Sequence, residues 1–207
     1  MGLILAGVLL CGMPATVFGL GEHGRQAGAE LLVLQGDLRL LQQEGLPDSR
    51  HRGLRARIRG MLAVLPLLLR MADQERGRRP VPLSTRELDD LLDQGGPERL
   101  QRRLRELSRR YPFPATGILP ATPSPRRLAL ARRLHRSYCA GCHSSAAGDG
   151  ERPAPDLFRQ ARSLPEREFA ARMVTGIRGD VLTGIGNPFT DEELAALIAF
   201  YRDSSPD

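Results

Sequence analysis

Cys139 and Cys142 stand three apart in "YCAGCH", and His143 follows the second cysteine directly. The chain has three cysteines in all, so this pairing is the first place to look for chemistry. Two thiols at this spacing support three kinds of site. They can form a redox dithiol, which belongs at the start of a helix that follows a strand. They can be half of a zinc site, completed by a second cysteine pair or by two suitably spaced histidines. Or they can add across the two vinyl groups of a porphyrin, with the adjacent histidine on the iron, as in c-type haem attachment.

The surrounding elements weigh these three differently. "SPRRLALARRLHRSY" (124–138) reads as a helix, with Ser124 as its cap and Pro125 in its first turn. CAGCH ends that helix, and a Gly/Pro/Ala-rich loop follows to about Asp156. A pair that closes a helix and opens a loop is in the opposite context to a thioredoxin-like dithiol. Zinc lacks ligands, because His23, His51 and His135 do not have the required spacing. Covalent haem is the reading favoured. Downstream, "LPEREFAARMVTGIRG" (164–179) reads as a helix closing at Gly176 or Gly179. "NPFTDEELAALIAFYRD" forms the last one, with Thr190 and Glu193 spaced as a capping box.

With these pieces in order, residues 124–205 resemble a mono-haem class I cytochrome c domain. The resemblance rests on a helix running into "YCAGCH", the glycine-rich "GDGERPAPDLF", a helix ending "TGIRGD", and "TDEELAALIAFYRD" as terminal helix. It implies one covalent haem c, with Cys139 and Cys142 as thioethers and His143 as proximal iron ligand. It also implies that Pro155 (or Pro153) offers its carbonyl to the His143 Nδ1, which would fix the ring. Phe200 and Tyr201 fall where the family packs its last helix against its first, and Tyr138 reads as a further packing residue. The departure is at the sixth ligand. The family pattern carries a methionine shortly before the last helix, where this chain reads "GDVLTGIGNPFTDEEL" with Leu182 or Ile185 at that position. Met173 is the nearest sulfur: a candidate distal ligand, or a core residue beside Phe169 and Ile177. His51 is a further, speculative ligand.

Upstream the chain reads as a separate helical bundle over 25–110, for which no family resemblance is recognised. Leu31, Leu34, Leu38 and Leu41 recur at helical spacing within 29–44. The stretch 53–75 is strongly apolar, with Pro66 expected to kink it. A capping box at Ser84 and Glu87 opens 84–96, and Pro97 opens 97–110 with Leu100, Leu104 and Leu107 inward. Residues 111–123 are proline-rich and read as a linker or a surface strap. No useful strand alternation appears, so the expected fold is all-α: an N-terminal helical bundle followed by a class I cytochrome c-like haem domain.

Residues 1–21 begin with an uncharged, apolar run before Glu22. They read as a cleaved secretory signal peptide or, less favoured, as an anchor through residues 1–20. Export fits covalent haem, so a bacterial periplasmic or other extracytoplasmic location is expected. All 30 basic residues are arginine and the formal net charge is +6, which suits an acidic redox protein partner. Aromatics are only 4% of residues and no groove-reading motif is present, so nucleic-acid binding is not expected.

The expected role is electron transfer rather than catalysis. Without an axial methionine in 180–190, the alternative is a five-coordinate haem that binds a gas or peroxide, as a sensor or weak peroxidase. That loop offers neither a distal base nor a polarising Arg or His for peroxidase work. A third possibility is a haem domain with a structural place in a larger membrane-bound complex.

Overall fold

A computed structural model describes residues 21–143, 154–178, 184–185 and 187–204. The leader 1–20, Pro153 and Leu182 lie outside these residues. The described chain is helical: α1 (Glu22–Leu41), α2 (Asp48–Glu75), α3 (Thr85–Asp93), α4 (Pro97–Arg110), α5 (Pro125–Leu134), α6 (Ala140–His143), α7 (Leu157–Ser163), α8 (Glu166–Thr175) and α9 (Asp191–Asp203). A π-helical turn, His135–Cys139, joins α5 to α6. The only extended pairing among the described residues is a two-residue antiparallel contact, Ile177 opposite Ile185 and Arg178 opposite Gly184. Among these residues no helix is long and apolar enough to cross a membrane.

Helix α1 is central. It packs against α2, α4 and α8, so its burial exceeds the one leucine face that the spacing predicts. Ala27, Ala29, Leu31, Val33, Leu34 and Leu38 are all buried, and so is Asp37. Gly28 allows the close approach of the chain segment after α4: a β-carbon there would sit 2.6 Å from the Phe113 Cα. The amino end of α1 borrows its cap from another helix. Glu75, at the end of α2, accepts from the backbone N–H groups of His23 (3.2 Å) and Gly24 (3.0 Å), satisfying donors that a helix start leaves bare.

The proline-rich segment is a strap with buried side chains. Tyr111, Phe113, Ala115 and Ile118 enter the core. The Tyr111 hydroxyl donates to buried Asp73 at 2.5 Å, and Arg167 on α8 donates to the Phe113 carbonyl at 2.6 Å. One hydrophobic cluster therefore runs from Leu31 and Leu62 through Phe113 to Phe169 and Tyr201. The two sequence segments 25–110 and 124–205 share it.

Several helix ends differ from the spacing-based reading. Helix α2 starts five residues earlier and continues through Pro66. Ser84 caps α3 by accepting from Glu87 N–H at 3.1 Å. The Glu87 carboxylate, however, is taken by Arg103 of α4 at 3.1 Å, so that box is half built. At α9 the box is complete, with Thr190 and Glu193 each satisfying the other's backbone. The helix carrying the cysteines runs through CAGCH and closes at His143, the last residue of that stretch, as the spacing-based reading has it. Helix α7 was not expected: Asp156 caps it, accepting from Arg159 N–H at 3.1 Å, and proline-rich surroundings hide so short a segment.

Candidate haem-binding site

The site is built on the continuous α5–π–α6 helix and held from behind by α9. Arg127 of α5 grips Glu192 of α9 with two nitrogens, at 2.9 and 2.6 Å. Further along, the His135 ring meets Phe158, Phe200 and Tyr201 at centroid distances of 5.6, 5.8 and 5.5 Å. Phe169 of α8 adds an edge contact to Tyr201 at 6.1 Å. These edge-on and tilted contacts tie the π turn, α7, α8 and α9 into one aromatic cluster. Phe200 and Tyr201 thus pack against the first helix of the segment, as expected.

Tyr201 does more than pack. Its buried hydroxyl lies 3.0 Å from His135 Nδ1 and against the Cys139 thiol. Burial pushes the Cys139 thiol up; the Tyr201 contact pulls it down without cancelling the rise, and the Cys142 thiol adds to it. Burial, then the Cys139 contact, hold the Tyr201 hydroxyl firmly protonated. This polar role was missed in the sequence, where an aromatic near the end of a helix signals only packing.

Cys139 is half-buried, Cys142 exposed, and both are free thiols. His143 follows on the last turn of α6, partly exposed. Its Nδ1 lies 2.6 Å from the Pro155 carbonyl oxygen. A carbonyl only accepts, so Nδ1 carries the proton and donates, and Nε2 is left with its lone pair. Two free thiols on one helical turn beside an imidazole with Nε2 available are a donor set that fits a c-type haem.

The other candidates are placed as follows. Met173 is buried on α8 within the hydrophobic cluster, and its backbone carbonyl accepts from the Asn187 side chain. His51 is exposed in the first turn of α2. Tyr138 is not a core residue: it is 69% exposed, with its ring edge-on to Phe189 at 5.5 Å. The π turn carries it outward, a register that the 3.6-residue reading could not anticipate.

Residues 126–200 match the family model described as cytochrome c oxidase, cbb3-type, subunit III. The C-terminal segment is a c-type cytochrome domain. The match begins one residue into α5 and ends within α9, so it spans the whole CAGCH scaffold and leaves α1–α4 outside it. No curated protein and no solved structure matches the chain. Domains of this class transfer electrons through covalently attached haem c, and they work in general outside the cytoplasm.

Proposed function

We propose that the chain is an exported mono-haem c-type cytochrome that relays electrons to or from a redox protein with an acidic docking face. The carrying observation is the His143–Pro155 hydrogen bond beside two free thiols. Cys139 and Cys142 would anchor the porphyrin, and His143 Nε2 would hold its iron. Bound haem supplies a one-electron couple whose potential the axial ligands tune. The Pro155 carbonyl keeps the imidazole in one tautomer and one orientation, and strengthens it as a donor. The leader 1–21 would direct export, after which the arginine-rich surface would favour an acidic partner.

A second reading, a five-coordinate haem open to a gas or peroxide, draws on one observation. None of the chain's five methionines follows Met173, and Met173 belongs to the hydrophobic cluster. A sensor or weak peroxidase would need that open face.

The optical spectrum of the matured protein separates the two. Under the first reading, with Met173 as sixth ligand, the ferric protein is low-spin with a sulfur-to-iron band that Met173→Ala removes, and the reduced protein binds CO slowly. Under the second it is high-spin and binds CO rapidly. Haem that is fully extracted by acid-acetone from the wild-type protein would defeat both.

A further inference from the structure

A buried charge cluster joins the N-terminal helices to the haem segment. Asp37 of α1 is fully buried and takes Arg57 of α2 on one side. On the other it takes Arg172 of α8, at 3.0 Å. Arg172 also holds Glu168, one turn earlier on α8, at 2.8 Å, and Glu168 reaches back to Arg39 of α1. Gly36 makes room for this: a β-carbon there would fall 2.0 Å from a Glu168 carboxylate oxygen.

Such a cluster is a poor way to gain stability. Burying charges costs solvation that their attraction only partly offsets, and one Asp37 oxygen and the Arg57 Nε have no hydrogen-bond partner among the described residues. What a buried ionic cluster does well is to select one seating of the elements it joins, because every other register leaves a charge unpaired. The element selected here is α8. Its Glu168–Arg172 edge faces α1, where Asp37 also holds Arg57 of α2, while Phe169 and Met173, one position further round, enter the hydrophobic cluster. Phe169 meets Tyr201, whose hydroxyl lies 3.0 Å from His135 Nδ1 on the turn that carries Cys139. The Met173 carbonyl in turn holds Asn187, ahead of α9.

We infer that Asp37 and Arg57 are positioning residues for the haem: they fix the seating of α8, and through it how open the iron is to an added ligand. The inference rests on the c-type cytochrome reading above. It gives the N-terminal helices a part in shaping the haem segment, in place of a bundle that folds apart from it.

The test uses the full-length matured protein and CO as probe. CO is uncharged, so its association with the reduced haem reports access and ligand exchange rather than the field of a removed charge. Asp37→Asn is expected to raise the CO association rate on the order of tenfold with covalent haem retained, and Asp37→Glu to restore it. Arg57→Gln, which breaks one of the two Asp37 pairs, should move the rate in the same direction and carries the test if Asp37→Asn does not mature. Asp93→Asn, which breaks exposed pairs with Arg55 and Arg59, should leave the rate unchanged. A lowered melting temperature with an unaltered CO rate in Asp37→Asn and Arg57→Gln would overturn the inference and leave the cluster a purely structural one. Absence of covalent haem in the wild-type protein would overturn the cytochrome reading instead, and this inference with it.

Discussion

The Tyr201 hydroxyl sits between His135, 3.0 Å from its Nδ1, and the Cys139 thiol. One buried oxygen on the last helix thus holds the first cysteine of CAGCH and the π turn that carries it. The hydroxyl has a single proton. If it is turned to sulfur, the Nδ1–H of His135 donates to the oxygen, and all three groups are satisfied.

Tyr201→Phe tests that relationship with little change in packing, because the ring and its edge contacts remain. It removes the hydroxyl that the half-buried His135 Nδ1 and Cys139 thiol face. A loss of about 1–3 kcal/mol is expected for the haem-free protein in urea unfolding. A loss below about 0.5 kcal/mol would mean that water replaces the hydroxyl at no cost.

The two thiols should differ in reactivity before haem is attached. Burial raises the Cys139 thiol above its ordinary value, so less of it is thiolate at pH 8, and its half-buried position restricts access as well. Cys142 is exposed. Alkylation of the haem-free protein at pH 8, followed by peptide mass mapping, should label Cys142 first. Equal rates would contradict this placement.

The borrowed cap of α1 predicts a pH dependence. Burial pushes the Glu75 carboxyl up, but its hydrogen bonds from the His23 ring and from the His23 and Gly24 backbone outweigh this and hold it below the usual glutamate value. A depressed acid stabilises the fold above its unfolded pKa, about 4.3, and the effect fades as pH falls through the lower folded value. The melting-temperature gap between wild type and Glu75→Gln should therefore be full near neutrality and close on acidification below pH 4.3. A gap of constant size across that range would assign Glu75 no charge-dependent role.

The two N-caps should not be equivalent. Ser84→Ala removes one bond from α3 and should cost about 0.5–1 kcal/mol. Thr190→Ala removes a reciprocal box at α9, the helix that supports the haem segment, and should cost about 1–2 kcal/mol. Urea unfolding of both variants gives the comparison, and the reverse order would contradict it.

Much of this protein is legible in the linear order of its residues. Leucine spacing, the caps at Ser84, Ser124 and Thr190, and glycines after the helices mark out an all-α chain, since these signals act within one or two turns. The attachment motif is legible for the same reason. Cys139, Cys142 and His143 are near neighbours, and a helix must present them together.

Contacts between distant segments are another matter. The family resemblance offers Pro155 or Pro153 as the carbonyl facing His143, and it is the fold that brings Pro155 there; that Tyr201 meets both His135 and Cys139 depends on how α9 crosses the π turn. The outward position of Tyr138 depends on the same turn, one extra residue in a helix that the spacing reads as regular. Asp37 lies at the flank of the leucine face, where spacing alone leaves its burial open. It is buried because α2, α4 and α8 all close on α1, and only the tertiary structure brings Arg57 and Arg172 to it. Periodicity reports which residues avoid water along one helix; it carries no information about which buried charges will find each other. The sequence by itself determined most of the helices and the CAGCH motif with its c-type cytochrome pattern, because these signals are local. Only the fold decided that the first helix reaches into the haem segment, because that rests on ion pairs between residues more than a hundred positions apart.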